Sequence, residues 1–94
     1  MTEFTEPNAI GYTIYCKSEC PFCVKAKILL EEEPNVTIVD CDPYLASNRE
    51  GFLEFIRNAA KKECKTFPMI FYAGEFIGGF KETFKFFDEQ NSFK

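Results

Sequence analysis

A chain of 94 residues supports one hydrophobic core and rarely two, so residues 1–94 are expected to form a single domain. At 46% hydrophobic and 28% charged residues it is a folded globular protein rather than a disordered tail, and its 12 Phe and 4 Tyr against no Trp predict a core rich in phenylalanine. With 11 basic and 15 acidic residues the net charge is −4, so electrostatics give no reason to expect nucleic acid or an anionic membrane as a partner.

In chain order, "IGYTIYC" at 10–16 sets β-branched and aromatic residues between turn formers and predicts a strand. "PFCVKAKILLEEE" at 21–33 predicts a helix with proline at its start, where the missing N–H does no harm, and with Cys23, Ala26, Ile28, Leu29 and Leu30 facing inward. Pro34 and Asn35 end it. "VTIVDC" at 36–41 is apolar almost throughout, which predicts a strand covered on both faces. After the "DPY" turn, Ser47 and Glu50 have the spacing of a capping box, so a second helix is expected over 47–62, offering Phe52, Phe55, Ile56, Ala59 and Ala60 for burial. Gly51 weakens its first turn. "PMIFYA" at 68–73 and "EFIG" at 75–78 predict a hairpin that turns at Ala73 and Gly74. Beyond them, Phe80, Thr83, Phe84 and Phe87 are spaced to lay one face of a third helix on the core. The order β-α-β-α-β-β-α makes this an α/β protein, with a parallel pair joined by a right-handed crossover and an added hairpin.

The chemistry concentrates in "YCKSECPFC", residues 15–23. Cys20 ends the loop after the first strand and opens the first helix, where free backbone N–H groups and the helix dipole favour a thiolate. Lys17 adds a positive charge nearby. Cys23, one turn further in, lacks these donors and should stay a thiol, so Cys20 is expected to attack and Cys23 to resolve. Five cysteines cannot all pair within one chain. Without a single histidine, Ser-His-Asp and Cys-His catalysis are excluded, and a zinc site would need Cys and carboxylates alone. A CxxC pair is also half of such a zinc site, but Cys16, Cys41 and Cys64 are scattered singly rather than as a second close pair, so no metal is expected. Cys16 and Cys41 read as packing residues at strand ends; Cys64 lies close to Thr66 and is assigned no role. No apolar run approaches the ~20 residues that span a bilayer, and "MTEFTEPNAI" lacks the basic start and apolar stretch of a secretory signal, so a reducing, cytoplasmic setting is expected.

With "CPFC" at a helix start, "TFP" before the third strand and "GGFKE" before the last helix, the sequence resembles the glutaredoxins of the dithiol (CPYC or CPFC) type, from Ile10 to about Phe87. The resemblance implies a thioredoxin-like fold, a four-stranded mixed sheet flanked by three helices. It also implies a glutathione-dependent thiol-disulfide oxidoreductase, with Cys20 and Cys23 catalytic and glutathione as co-substrate. For glutathione it implies Lys17 at the glycine carboxylate, Phe22 in the site, and Phe67 before a cis Pro68 offering backbone groups to the cysteine moiety. Gly78 and Gly79 then permit close approach, Phe80 and Lys81 offer N–H groups to the γ-glutamyl carboxylate, and Glu82 faces its ammonium. Phe67 replaces the usual valine, Lys81 the usual Ser or Thr, and Glu82 the usual Asp. A glutamine common on the second helix has no clear match, with Arg57 as a candidate substitute. Implied partners are disulfide-containing or glutathionylated proteins, ribonucleotide reductase among the candidates, acting on a monomer. Two rivals are a thioredoxin-like reductase fed by a flavoprotein, opposed by the lack of a WCGPC motif, and a metal or iron-sulfur module, which relatives with proline after the first cysteine seldom form.

Overall fold

A computed structural model describes residues 4–91 and places β1 (Tyr12–Cys16) inside a four-stranded sheet of order β2-β1-β3-β4. Every residue of β1 is buried, as an interior strand covered on both faces requires. β1 runs parallel to β2 (Val36–Asp40) and antiparallel to β3 (Met69–Tyr72), which pairs antiparallel with β4 (Glu75–Gly78). Register pairs Ile14 with Ile38 on one side and with Ile70 on the other. The expected mixed sheet with three helices is therefore present.

Alternation along β1 divides the interior in two. Tyr12, Ile14 and Cys16 pack with Cys23, Ala26 and Leu30 beneath α1 (Pro21–Leu29), with Phe80, Phe86 and Phe87 of α3 (Phe80–Asn91) at the margin. Tyr15 faces the other way, onto Phe52 and Ile56 of α2 (Asp42–Ala60), with Val39, Met69 and Phe71. Residues before β1 join this second core: the Phe4 ring lies 5.0 Å from that of Tyr44 and 5.5 Å from that of Phe52, while Tyr15 donates from its hydroxyl to the Thr5 carbonyl at 2.6 Å.

Four local expectations are corrected. β2 is an edge strand rather than one covered twice: Val39 is buried, but Ile38 is 51% exposed in an open hollow that it lines with Val24, Lys27 and Ile28 of α1. α1 stops at Leu29 instead of continuing to residue 33, because three glutamates at a helix C-terminus oppose the dipole, and Ile28 points to solvent. α2 starts at Asp42, with Pro43 in its first turn, and breaks at Asn48 (φ −158°, ψ 70°). There the Asn48 side chain, not the Ser47–Glu50 box, caps the second segment, accepting the Gly51 N–H at 3.0 Å. On α3, Thr83, Phe86 and Phe87 turn inward, whereas Phe84 is 52% exposed.

Candidate active site at the β1–α1 junction

The loop after β1 is held at both ends. Ser18 donates its N–H to Asp42 Oδ1 at 3.0 Å, and Glu19 takes a left-handed conformation (φ 55°) that turns the chain toward α1. Cys20 follows in extended geometry as the N-cap. Its Sγ accepts the Cys23 N–H at 3.2 Å, and its carbonyl accepts from the N–H groups of Cys23 and Val24 at 3.0 and 3.2 Å. The sulfur thereby caps the first turn of α1, satisfying one of the backbone N–H groups that a helix start leaves free.

Cys20 is half-buried, Cys23 is buried below it, and Cys16 is buried in the same core. Burial pushes the Cys23 thiol far above the ordinary cysteine range, and its hydrogen bond with Cys20 adds to the effect. Burial also raises Cys16. One sulfur is thus half-exposed, while its neighbour is buried and kept as a thiol. Cys41 lies in the other core, where burial pushes its thiol up to about 12, and Cys64 bonds toward the Thr66 carbonyl at 3.9 Å. All five cysteines are unpaired, and among the described residues no group of three or more His, Cys, Asp or Glu is placed to hold a metal ion.

A groove of about 380 Å³ opens beside Cys20. Lys17, Glu19, Pro21 and Phe22 come to it from the junction, Leu45 and Arg49 from α2, and Lys65, Thr66 and Phe67 from the approach to β3. The Lys17 ammonium stands 6.0 Å from the centre of the Phe67 ring. The Phe67–Pro68 peptide is cis, as the resemblance implied, and Pro68 is buried. Arg57 does not reach the groove; it is exposed and lies 3.9 Å from Glu54 one turn away on α2. Arg49 and Lys65 supply charge there instead, and neither carries a local sequence signal that would single it out.

The start of α3 closes the far side. A Cβ on Gly79 would lie 3.6 Å from the Pro68 carbonyl, so helix and cis-proline strand approach closely there. Gly78 has φ +140°, and a Cβ on it would come within 2.8 Å of Glu82, so both conformation and space require glycine. Glu82 Oε1 accepts the Gly79 N–H at 3.0 Å, securing this turn. Phe80 and Lys81 form a shelf with Phe22 and Phe84, and Phe22 lines both shelf and groove. The structure thus brings together Lys17, Cys20, Phe22 and Phe67, with Phe80 and Lys81 adjoining through Phe22. Glu82 stands behind them, lining a separate hollow with Tyr72 and Lys85.

Residues 12–77 match the family model for glutaredoxin. Glutaredoxin 1 of Escherichia coli is 34% identical over 70 residues, which are 73% of this chain and 82% of that protein. The crystal structure of glutaredoxin 1 from Francisella tularensis is similar at a TM-score of 0.72 and 30% identity, covering 86% of this chain and 95% of that one. A dithiolic glutaredoxin from Trypanosoma brucei brucei gives 0.69 and 30%, covering 88% and 82%.

Proposed function

The chain belongs to the glutaredoxin family of thiol-disulfide oxidoreductases, and we propose that it is a dithiol enzyme using glutathione as its reductant. The observation that carries this reading is the pairing of a half-exposed, helix-capping Cys20 in a basic groove with a buried Cys23 thiol at its back.

On a glutathionylated substrate, the Cys20 thiolate attacks the glutathione sulfur. The Cys20–glutathione disulfide forms, the substrate–glutathione bond breaks, and the substrate leaves as a thiolate that takes up a proton. A second glutathione thiolate then attacks the bound glutathione sulfur, oxidised glutathione departs, and Cys20 is restored. On a protein disulfide, Cys20 forms a mixed disulfide and releases one substrate thiolate. Cys23 then loses its proton and attacks Cys20, releasing the second thiolate and closing Cys20–Cys23. The two electrons given to the substrate are returned by two glutathiones.

Glutathione lies along the groove in this reading. Lys17 faces its glycine carboxylate and Phe67, ahead of Pro68, offers backbone groups to its cysteine moiety. The first-turn N–H groups at Phe80 and Lys81 hold the γ-glutamyl carboxylate beside Gly79, and Phe22 borders the site. Glu82, which lines a separate hollow rather than the groove, acts in this reading by holding the Gly79 turn that presents those N–H groups. Arg49 replaces Arg57 as the second cation for the glycine end, because it lines the groove and Arg57 does not. A monomer working in a reducing, cytoplasmic setting on glutathionylated or disulfide-containing proteins fits this chemistry.

The test is reduction of a glutathione mixed disulfide with glutathione as sole electron donor. Turnover is expected; it should be abolished in Cys20→Ser and stay within about tenfold of wild type in Cys23→Ser, since that route needs one sulfur. No turnover, together with rapid reduction by a thioredoxin reductase, would replace glutathione with a flavoprotein donor.

A further inference from the structure

Phe84 is spaced as a core residue and is not one. With Phe22 and Phe80 it builds an aromatic shelf, ring centres 6.0 Å apart from Phe22 to Phe80 and 6.1 Å from Phe80 to Phe84. Phe22 is 53% and Phe84 52% exposed, so two large rings keep about half their surface in water beside a reactive sulfur. Scattered apolar residues at a surface are ordinary, but a contiguous set bordering a site marks a place for a ligand. The concavity at this shelf measures about 450 Å³.

The charge around it is distinctive. Among the described residues, Lys17, Arg49, Lys65 and Lys81 line groove and shelf against one acid, Glu19, in a chain of net charge −4. Lys25 adds its ammonium 5.0 Å from the centre of the Phe22 ring. The face around Cys20 is therefore basic and aromatic on an acidic protein.

We propose that the shelf docks the protein substrate, selecting a segment with an aromatic or large aliphatic side chain near its target cysteine and Asp or Glu around it. The proposal rests on the redox role of Cys20. Glutathione has no large apolar group, and the contacts given to it above leave Phe84 unused. An extended peptide joined to Cys20 through its cysteine lays a side chain about two to four residues away on the shelf, at roughly 3.3 Å per residue. Its carboxylates then face the lysines, which speeds encounter and fixes orientation.

The test uses pre-reduced protein, without glutathione, on two short peptides whose cysteine carries a chromogenic aromatic thiol in disulfide linkage. One has Phe, Asp and Glu around the cysteine; the other has Ser and Lys. Wild type should react about tenfold faster with the first, the scale of one aromatic contact at an interface. Phe84→Ser should remove most of that advantage and Lys25→Glu part of it, while both variants reduce 2-hydroxyethyl disulfide at the wild-type rate. A labelled copy of the first peptide with Ser for Cys reads docking by anisotropy, so the shelf is tested even if exchange itself failed. Equal rates for the two peptides, or an advantage that survives Phe84→Ser, would overturn the proposal. So would sedimentation showing a wild-type dimer that Phe84→Ser dissociates, which would assign the shelf to a second copy.

Discussion

Single side chains set the terms of the site, and their neighbours decide what each can do. Cys20 and Cys23 are the same residue type one helical turn apart, yet one caps a helix in half-exposed surroundings and the other is 1% exposed. Their spacing is local, so the placing of one at the helix start and the other one turn inward was legible before any fold was known. Thr83 is the opposite case. Its spacing on α3 announced an inward position, but not that its hydroxyl is fully buried with no hydrogen-bond partner among the described residues. A buried hydroxyl without a partner carries its full desolvation penalty, so Thr83→Val, of equal shape and similar helix propensity, should stabilise the protein by about 1 kcal/mol. For a domain of this size thermal unfolding should then shift upward by about 4–8 °C.

Among the elements, α2 departs furthest from its sequence pattern. Ser47 and Glu50 satisfy the spacing of a capping box, but a helical turn already runs from Asp42 behind Pro43, so the break falls at Asn48. The Asn48 side chain occupies the space above Gly51, where a Cβ would come within 2.3 Å of it. Gly51, which weakens a helix by propensity, thereby makes room for the cap. Asn48→Ala should lower stability by about 1 kcal/mol, seen as a lower urea midpoint at unchanged slope, and leave thiol-disulfide exchange intact. Arg49, just after this break, lines the groove, whereas Arg57 lies about two turns further along α2 beside Glu54. β2 shows the limit of apolar content as a guide: a near-continuous run predicted two covered faces, but an edge strand beside a short α1 leaves Ile38 in water.

At the scale of the whole molecule, both cores bury groups that release protons in alkali. Burial raises Cys41 from 9.0 and Tyr12 from 10.0, each to about 12, and raises Cys16, Cys23 and Tyr15 in the same direction. The folded state therefore keeps protons that the unfolded chain gives up, and stability must fall as pH rises through that interval. It is fully present below about pH 9, the unfolded cysteine value, and is lost progressively toward about pH 12. The urea midpoint measured at about pH 11 should lie clearly below that at about pH 8, and Cys41→Ala should flatten the difference.

The sequence by itself determined the order of elements, the α/β class, the cysteine pair at the start of α1 and the glycine turn at Gly78 and Gly79, because each is written in residues close together in the chain. Tertiary structure alone decided that Arg49 and Lys65 join Lys17 beside Cys20, that Phe4 completes the second core, and that Phe84 faces outward. Those outcomes depend on which elements meet and where a helix breaks or stops, and packing between distant segments leaves no local periodicity from which to read them.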